Sequence, residues 1–404
     1  MTAALLPVAD HQARVLSLLA DGSARAPESV PAAGAAGRVL AAAVASPEPL
    51  PAFDNSAMDG YAVRAADVAG AGADSPVRLT VAGEIPAGAA AGTLAPGTAH
   101  RIMTGAPVPA GADAIVEVEQ TDGGTDVVTV RAAREAGSFV RARGGDVAVG
   151  DPVLAAGTLV GPAQLGLLAA LGVPEIEVRA RPRVLVVSTG SELAADPRPE
   201  LGQIRDANGA MLAAAVEDAG AVAVRRLWVA DDVPAFLALL DAELDGIDLV
   251  LTSGGVSAGA YEVVKDGLGP RGIEFVKVAM QPGMPQGAGR YDGVPVVCLP
   301  GNPVSSLVSF EVFVRPALRA VAGLPRTTRP VVHAALTEAI ESVPGKRQLR
   351  RGRLDRAAGT VRPWGPPGSG FLGWLAGADC LLDIPADVTA VGAGEPVAVW
   401  DLTG

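Results

Sequence analysis

Hydrophobic positions in this chain change period several times, and each change marks a division. Over residues 1–45, PVADHQARVLSLLA and PESVPAAGAAGRVLAAAV place apolar side chains three and four apart. That spacing predicts helices that need a surface to pack on. From Ser46 to Gly150 the signal turns to short β runs broken by Gly and Pro: GYAVRAAD, VRLTVAGEIPAG, AIVEVEQT and VVTVRAA. A compact β domain over 46–149 is expected. DPVLAAGTLVGPAQLGLLAALGV then returns to a strand and a helix, so 150–180 pairs with 1–45 and the β domain becomes an insertion.

Residues 181–325 carry the clearest pattern. Strands are expected at Val184–Ser188, Val222–Val229, Ile247–Thr252, Phe275–Met280 and Val294–Leu299. Helices at Gly209–Ala219, Val233–Glu243 and Val304–Ala322 alternate with them. Such alternation means parallel strands joined by right-handed crossovers, a doubly wound, mostly parallel α/β sheet. From Arg326 to Gly404 strands and Gly/Pro turns return, as in a small C-terminal β domain.

Three strand ends in the α/β segment run into unusual loops: STGSE (Ser188, Thr189, Gly190 to Glu192), SGGVSAG (Ser253, Gly254, Gly255, Ser257) and PGNPVS (Pro300, Gly301, Asn302, Pro303). Any one of them reads as an ordinary βα turn. All three leave carboxyl ends of strands and so share the sheet edge where ligands of open α/β sheets bind. Glycines and hydroxyls there let backbone N–H groups approach an anion. Neither GxxxxGK[ST] nor a strand-linked GxGxxG occurs, which disfavours a P-loop NTPase and a dinucleotide oxidoreductase. The implied ligand is a phosphate or another oxyanion.

Composition narrows the chemistry. Among 404 residues, 44 acids outnumber 32 Lys and Arg, for a net charge of −12. No basic stripe for nucleic acid or an anionic membrane follows from that balance. Cys298 and Cys380 lie too far apart in sequence for a CxxC zinc site or a disulfide framework, and His11, His100 and His333 are isolated. The N-terminus lacks a basic region and no stretch approaches the roughly 20 apolar residues of a membrane span, so a soluble, cytoplasmic protein is expected. Three of the 32 basic residues are lysines, and Lys277 lies in the apolar strand EFVKVAM. A partly buried Lys277 there wants an anionic partner; an edge-strand lysine reaching solvent is the equal alternative. FDNSAMDGYAVR gathers Asp54, Asn55 and Asp59 around a turn, and RARGGD sets Arg141 and Arg143 beside Asp146. Carboxylates beside phosphate-binding loops suit Mg²⁺.

FDNSAMDGYAVR, HRIMTGAPVPAGADAIVEVEQ, RARGGD, STGSEL, GQIRDANG, SGGVSAG, LPGNPVSS and GSGFLGWLAGADCLLDIP occur in this order. Together they resemble the molybdopterin molybdenumtransferase family (MoeA type), related to the C-terminal domain of gephyrin, essentially from end to end. The resemblance implies insertion of molybdate into adenylylated molybdopterin with Mg²⁺-dependent release of AMP. It also implies a C-terminal β-barrel, an elongated linker domain, and a homodimer whose cleft lies between subunits. Family positions fall on Asp59, Thr104, Arg141, Asp146, Glu192, Asp231, Lys277, Pro300, Pro303 and Arg351, with Asp206 and Asn208 in the same motif set. Asp59, Asp146, Glu192, Asp231 and Lys277 are the expected catalytic residues, with Asp59, Glu192 and Asp231 as Mg²⁺ ligands. Lys277, Arg141 and Arg351 would hold molybdate and offset phosphoanhydride charge.

Departures from the family pattern stand out. SAGAYEVVK puts Ala260 at an acidic position and Glu262, a substrate-site candidate, where Asp is usual. QPGMP replaces the lysines of KPGKP with Gln281 and Met284. Two alternatives remain: adenylyl transfer onto molybdopterin in the same pathway, and a dimeric, gephyrin-like scaffold.

Overall fold

The structure is a computed structural model that describes residues 5–21, 25–194, 198–256 and 262–403. The chain divides into two compact units, residues 1–28 with 179–404, and residues 29–178.

The larger unit opens with helix α1 (Val8–Ala20). Its sheet strands are β1 (Arg183–Thr189), β2 (Val222–Val229), β3 (Leu249–Ser253) and β4 (Glu274–Lys277), followed after the short β5 (Met280–Gln281) by β6 (Pro285–Tyr291) and β7 (Val294–Leu299). The order is β2-β1-β3-β7-β6-β4. β2, β1, β3 and β7 are parallel, as the β/α alternation requires, with helices α2 (Ala207–Asp218) and α3 (Val233–Glu243) in the crossovers. β6 was not expected. It runs antiparallel between β7 and β4, so β4 pairs with β6 and not with a parallel neighbour. Its sequence, PQGAGRY, hides the strand because Gly287 and Gly289 stand where apolar alternation would show. Each is there for close approach: a Cβ on Gly287 would lie 2.7 Å from the Phe275 ring, and one on Gly289 would lie 2.5 Å from the Gly272 carbonyl.

One apolar cluster unites the sheet with α1 and the long helical run from Pro303 to Val321, where α4 (Pro303–Ser309) passes through a π turn at Phe310–Val314. Val8, Val15 and Leu19 of α1 are buried in that cluster. Pairing of residues 1–45 with 150–180 is therefore corrected: α1 packs in the larger unit, and only residues from Ser29 on belong with the later segment. The second expected helix is also absent. Residues 28–45 form short strands and a turn, because Pro31 has no N–H to give and Gly37 takes φ +75°.

His11 on α1 is fully buried, edge-on to Phe313 at 4.7 Å between ring centres, and neither ring nitrogen has a partner. Burial, then the charge of Arg14, lowers its pKa to about 4. A base whose pKa falls on folding stabilises the fold fully above its unfolded pKa near 6.5 and loses that contribution as pH drops toward 4. By pH 4.5 the loss is about 2–3 kcal/mol. His11→Phe should remove this share, so urea unfolding at pH 7 and 4.5 should show a smaller difference in the variant than in wild type.

Beyond the helical run, β8 (Val331–Leu336), β9 (Arg347–Asp355), β10 (Thr360–Pro363), β11 (Cys380–Ile384) and β12 (Pro396–Asp401) close into a five-stranded barrel, in the ring order β9-β10-β8-β12-β11-β9. β5 adds to it by pairing parallel with Arg347 and Gln348. Four charged groups join α2, the π turn and the start of the barrel segment. Glu311, 3% exposed, accepts from Arg329 Nε and Nη2, both at 2.9 Å, and pairs with Arg315; both arginines also reach Asp218 at 2.6 Å.

In the smaller unit, five strands stand in the order 114–117, 60–63, 98–102, 77–85 and 127–130 over a Val- and Ala-rich core. A second core gathers Leu40, Val160, Leu168, Ile176 and Val178, so residues 29–45 do pack with 150–178. Among the described residues no helix is long and apolar enough to cross a membrane.

Candidate active site

The three strand-end loops meet in the larger unit, on a cavity of about 840 Å³. Ser188, Thr189, Gly190 and Glu192 line it from the end of β1, and Ser253, Gly254 and Gly255 from the end of β3. Pro300, Gly301, Asn302 and Pro303 supply the third side, with Asp206, Asn208, Asp231, Glu262 and Arg351 completing the set. Ser257 and Ala260 lie outside the described residues.

Glycine is required where the loops crowd. Gly254 has φ +101°, and a Cβ there would sit 2.5 Å from the Thr189 carbonyl oxygen; Gly255 has φ +64°, and a Cβ there would lie 2.9 Å from Val264 N. One side chain ties the loops together. Asn208 Nδ2 donates to Ser253 Oγ at 2.8 Å and to the Gly301 carbonyl at 2.6 Å, while its buried Oδ1 has no partner. Asp206 caps α2 by accepting from Gly209 N at 2.8 Å, and takes a second bond from Ser188 Oγ at 2.9 Å. Ser191 and Asp231 hold each other reciprocally: Ser191 N donates to Asp231 Oδ2 at 3.0 Å, and Asp231 N donates to Ser191 Oγ at 3.1 Å. The wall thus offers hydroxyl and loop N–H donors to an anion beside four carboxylates, Glu192, Asp206, Asp231 and Glu262, while the N–H groups of Gly190 and Gly254 are already spent on the Val229 and Leu299 carbonyls.

The barrel supplies the opposite wall, which the sequence reading mostly missed. Met280–Pro285, Lys346, Gln348–Arg351 and Trp364–Ser369 all line the cavity. Ser369 docks on the PGNP loop, accepting at Oγ from Asn302 Nδ2 at 3.0 Å and at its carbonyl from Val304 N at 3.0 Å. Arg351, 6% exposed, spends its donors on the backbone: Nη1 on the Gly368 carbonyl at 2.8 Å and Nη2 on the Pro366 carbonyl. Burial, then the charge of Arg350, moves its pKa down. Its first role is to hold the 364–369 turn in place.

Lys277 follows the second of its two readings, a side chain that reaches solvent. It ends edge strand β4, is exposed, and is not among the cavity residues. An edge strand leaves a long side chain free to reach water, and here it does.

The remaining candidates belong to the smaller unit. Asp59 Oδ1 accepts from Thr104 N at 2.6 Å and Thr104 Oγ1 at 2.7 Å, and these bonds hold its carboxyl below the usual carboxylate range. Asp54 accepts from Arg143 N at 2.6 Å, Arg141 pairs with Asn55 across two short strands, and Asp146 N donates to the Leu50 carbonyl. FDNSAMDG and RARGGD are therefore neighbours. No cluster of three or more His, Cys, Asp or Glu side chains suited to a metal ion occurs among the described residues.

Comparison with known proteins agrees along the whole chain. The MoeA N-terminal region (domain I and II) matches residues 6–172, the probable molybdopterin binding domain matches 185–320, and the MoeA C-terminal region (domain IV) matches 333–402. Molybdopterin molybdenumtransferase 2 of Mycobacterium tuberculosis is 56% identical, over 98% of this chain and 99% of that protein. Molybdopterin molybdenumtransferase 1 of the same organism is 40% identical, over 97% and 98%. The crystal structure of the molybdopterin biosynthesis MoeA protein from Pyrococcus horikosii superposes with a TM-score of 0.84 at 30% identity, covering 99% of this chain and all of that one.

Proposed function

Given that this chain belongs to the molybdopterin molybdenumtransferase (MoeA) family, we propose that it inserts molybdate into adenylylated molybdopterin and releases AMP. The observation that carries the reading is the pair of ties from GQIRDANG: Asn208 joins the SGG and PGNP loops, and Asp206 holds Ser188 of the STGSE loop, on one anion-binding edge. Phosphates lie among the Ser188, Thr189 and Ser253 hydroxyls and the Gly255, Gly301 and Asn302 backbone of the three loops, the N–H groups of Gly190 and Gly254 being spent on the Val229 and Leu299 carbonyls. Glu192 and Asp231 fit Mg²⁺, which takes one or two carboxylates plus phosphate oxygens. Bound there, the ion would offset charge on the bridging and leaving phosphate oxygens. Asp231 has one carboxylate oxygen committed to Ser191 N, which fixes the direction of the other. Water or a molybdate oxygen attacks phosphorus, so no protein nucleophile is needed; Cys298 is buried, its thiol pushed up to about 12 by desolvation. A homodimer, a cytoplasmic location and a Mg²⁺ requirement are parts of the same reading, as are roles for Asp59, Thr104, Arg141, Arg143 and Asp146.

Reconstitution tests it. The protein is supplied with adenylylated molybdopterin, Mg²⁺ and molybdate, and AMP release and metal incorporation are followed together. Both should appear in step, and Asp231→Asn should lower both by about 100-fold or more, roughly 3 kcal/mol of transition-state stabilisation. Consumption of ATP with molybdopterin in the absence of molybdate would instead identify an adenylyltransferase.

A further inference from the structure

A second cavity of about 830 Å³ adjoins the first, and the two share Gln281, Gln348, Arg350 and the turn Gly365–Pro367. Its other wall is the segment Glu338–Pro344. The chemistry differs from that of the strand-end loops, which present donors. Here Glu338 and Glu341 stand exposed on the lining. Gln348 is 4% exposed, yet its Oε1 has no hydrogen-bond partner, and Ser342, 8% exposed, has an unpartnered Oγ. Buried acceptors without donors cost stability, and a site for a ligand is one reason to keep them. Arg350 is half-buried and makes no hydrogen bond or ion pair with a described residue; Glu338 is the acid that acts on it.

An oxyanion entering this space would meet two carboxylates and an amide oxygen, with Arg350 the one cation set against them among the described residues of the lining. A flat, neutral ring with adjacent N–H groups would meet acceptors. We propose that this second cavity takes the pterin ring of the substrate, its amino and ring N–H groups donating to Gln348 Oε1 and Glu338 and its carbonyl oxygen accepting from Arg350. The adenylate phosphates then lie in the first cavity, and the shared wall separates the two halves of one molecule. Adenine fits less well, because its edge sets one amino donor beside a ring acceptor, whereas the pterin edge sets two donor positions beside a carbonyl. This assignment rests on the substrate reading given above and deepens it.

Two probes separate the assignment from that reading: 6-hydroxymethylpterin, followed by its fluorescence, and AMP, followed by calorimetry. Wild-type protein should bind both at once, with pterin affinity unchanged in saturating AMP. Gln348→Leu, on the shared wall, and Glu338→Gln, which lines only the second cavity, should each weaken pterin binding tenfold or more, and Glu338→Gln should leave AMP within twofold. If thermal unfolding shows that Gln348→Leu no longer folds, the exposed Glu338→Gln decides alone. Displacement of pterin by AMP one for one, loss of adenosine binding on Glu338→Gln, or pterin affinity indifferent to both substitutions overturns the assignment. AMP binding without pterin binding refutes the second cavity only; binding of neither refutes the substrate reading as well.

Discussion

Asn208→Asp should lower the rate of metal insertion at least 100-fold and weaken AMP binding more than tenfold, with the fold intact. Asn208 Nδ2 is the shared donor to Ser253 Oγ and the Gly301 carbonyl. A carboxylate in its place keeps the shape but has no proton for the carbonyl. Losing that bond costs about 1 kcal/mol, and an unpaired partner raises the cost to about 1–3 kcal/mol. The new negative charge also stands among loops that receive phosphates, worth about another 1–4 kcal/mol at roughly 4 Å, depending on solvent access. Asn208→Ala loses the tie without adding charge and should cost less, about tenfold in affinity. Calorimetry with AMP and the AMP-release assay read both effects. Equal affinity in wild type and Asn208→Asp would sink the anion-edge reading.

Glu311→Gln should be the most destabilising single change outside the cavity, by about 3–5 kcal/mol. Glu311 is the buried counter-ion of Arg329 and Arg315, whose side chains are 9% and 6% exposed. An amide leaves two guanidinium groups in the interior with Asp218 alone, and Asp218 is 54% exposed. Asp218→Asn should therefore cost less, about 1 kcal/mol, because water already screens it. Urea midpoints at neutral pH measure both, and a Glu311→Gln midpoint within experimental scatter of wild type would show that Asp218 suffices.

Legibility followed the physics of each element. β1, β3 and β7 announced themselves because a strand covered on both faces reads as a continuous apolar run, while β2, an edge strand with Arg225 and Arg226 exposed, was marked by its place in the β/α alternation. Their loops followed, since a strand end in such a sheet fixes where the loop must sit. β6 stayed hidden because Gly287 and Gly289 were selected for close approach, and glycine carries no periodicity. α1 was found as a helix but assigned to the wrong neighbours, for periodicity gives a buried face and not the surface it meets. The barrel wall escaped for a different reason. GPPGSG looks like any solvated turn, and the Arg351 bonds to its carbonyls, with those joining Ser369 to Asn302 and Val304, show that it is held as a rim. Lys277 stayed open between two readings because apolar flanks in an edge strand do not decide whether the lysine between them is buried.

The path of the chain between β4 and β6 has a practical consequence. After Lys277 it leaves the sheet, lends Met280 and Gln281 to the barrel beside Arg347 and Gln348, and returns to form β6. The barrel is thus completed by residues that precede it by more than forty positions. Severing the polypeptide at residue 326 to isolate the tail would bare an unpaired backbone margin along β9, an invitation to self-association. Dissection at that seam should yield a sticky fragment.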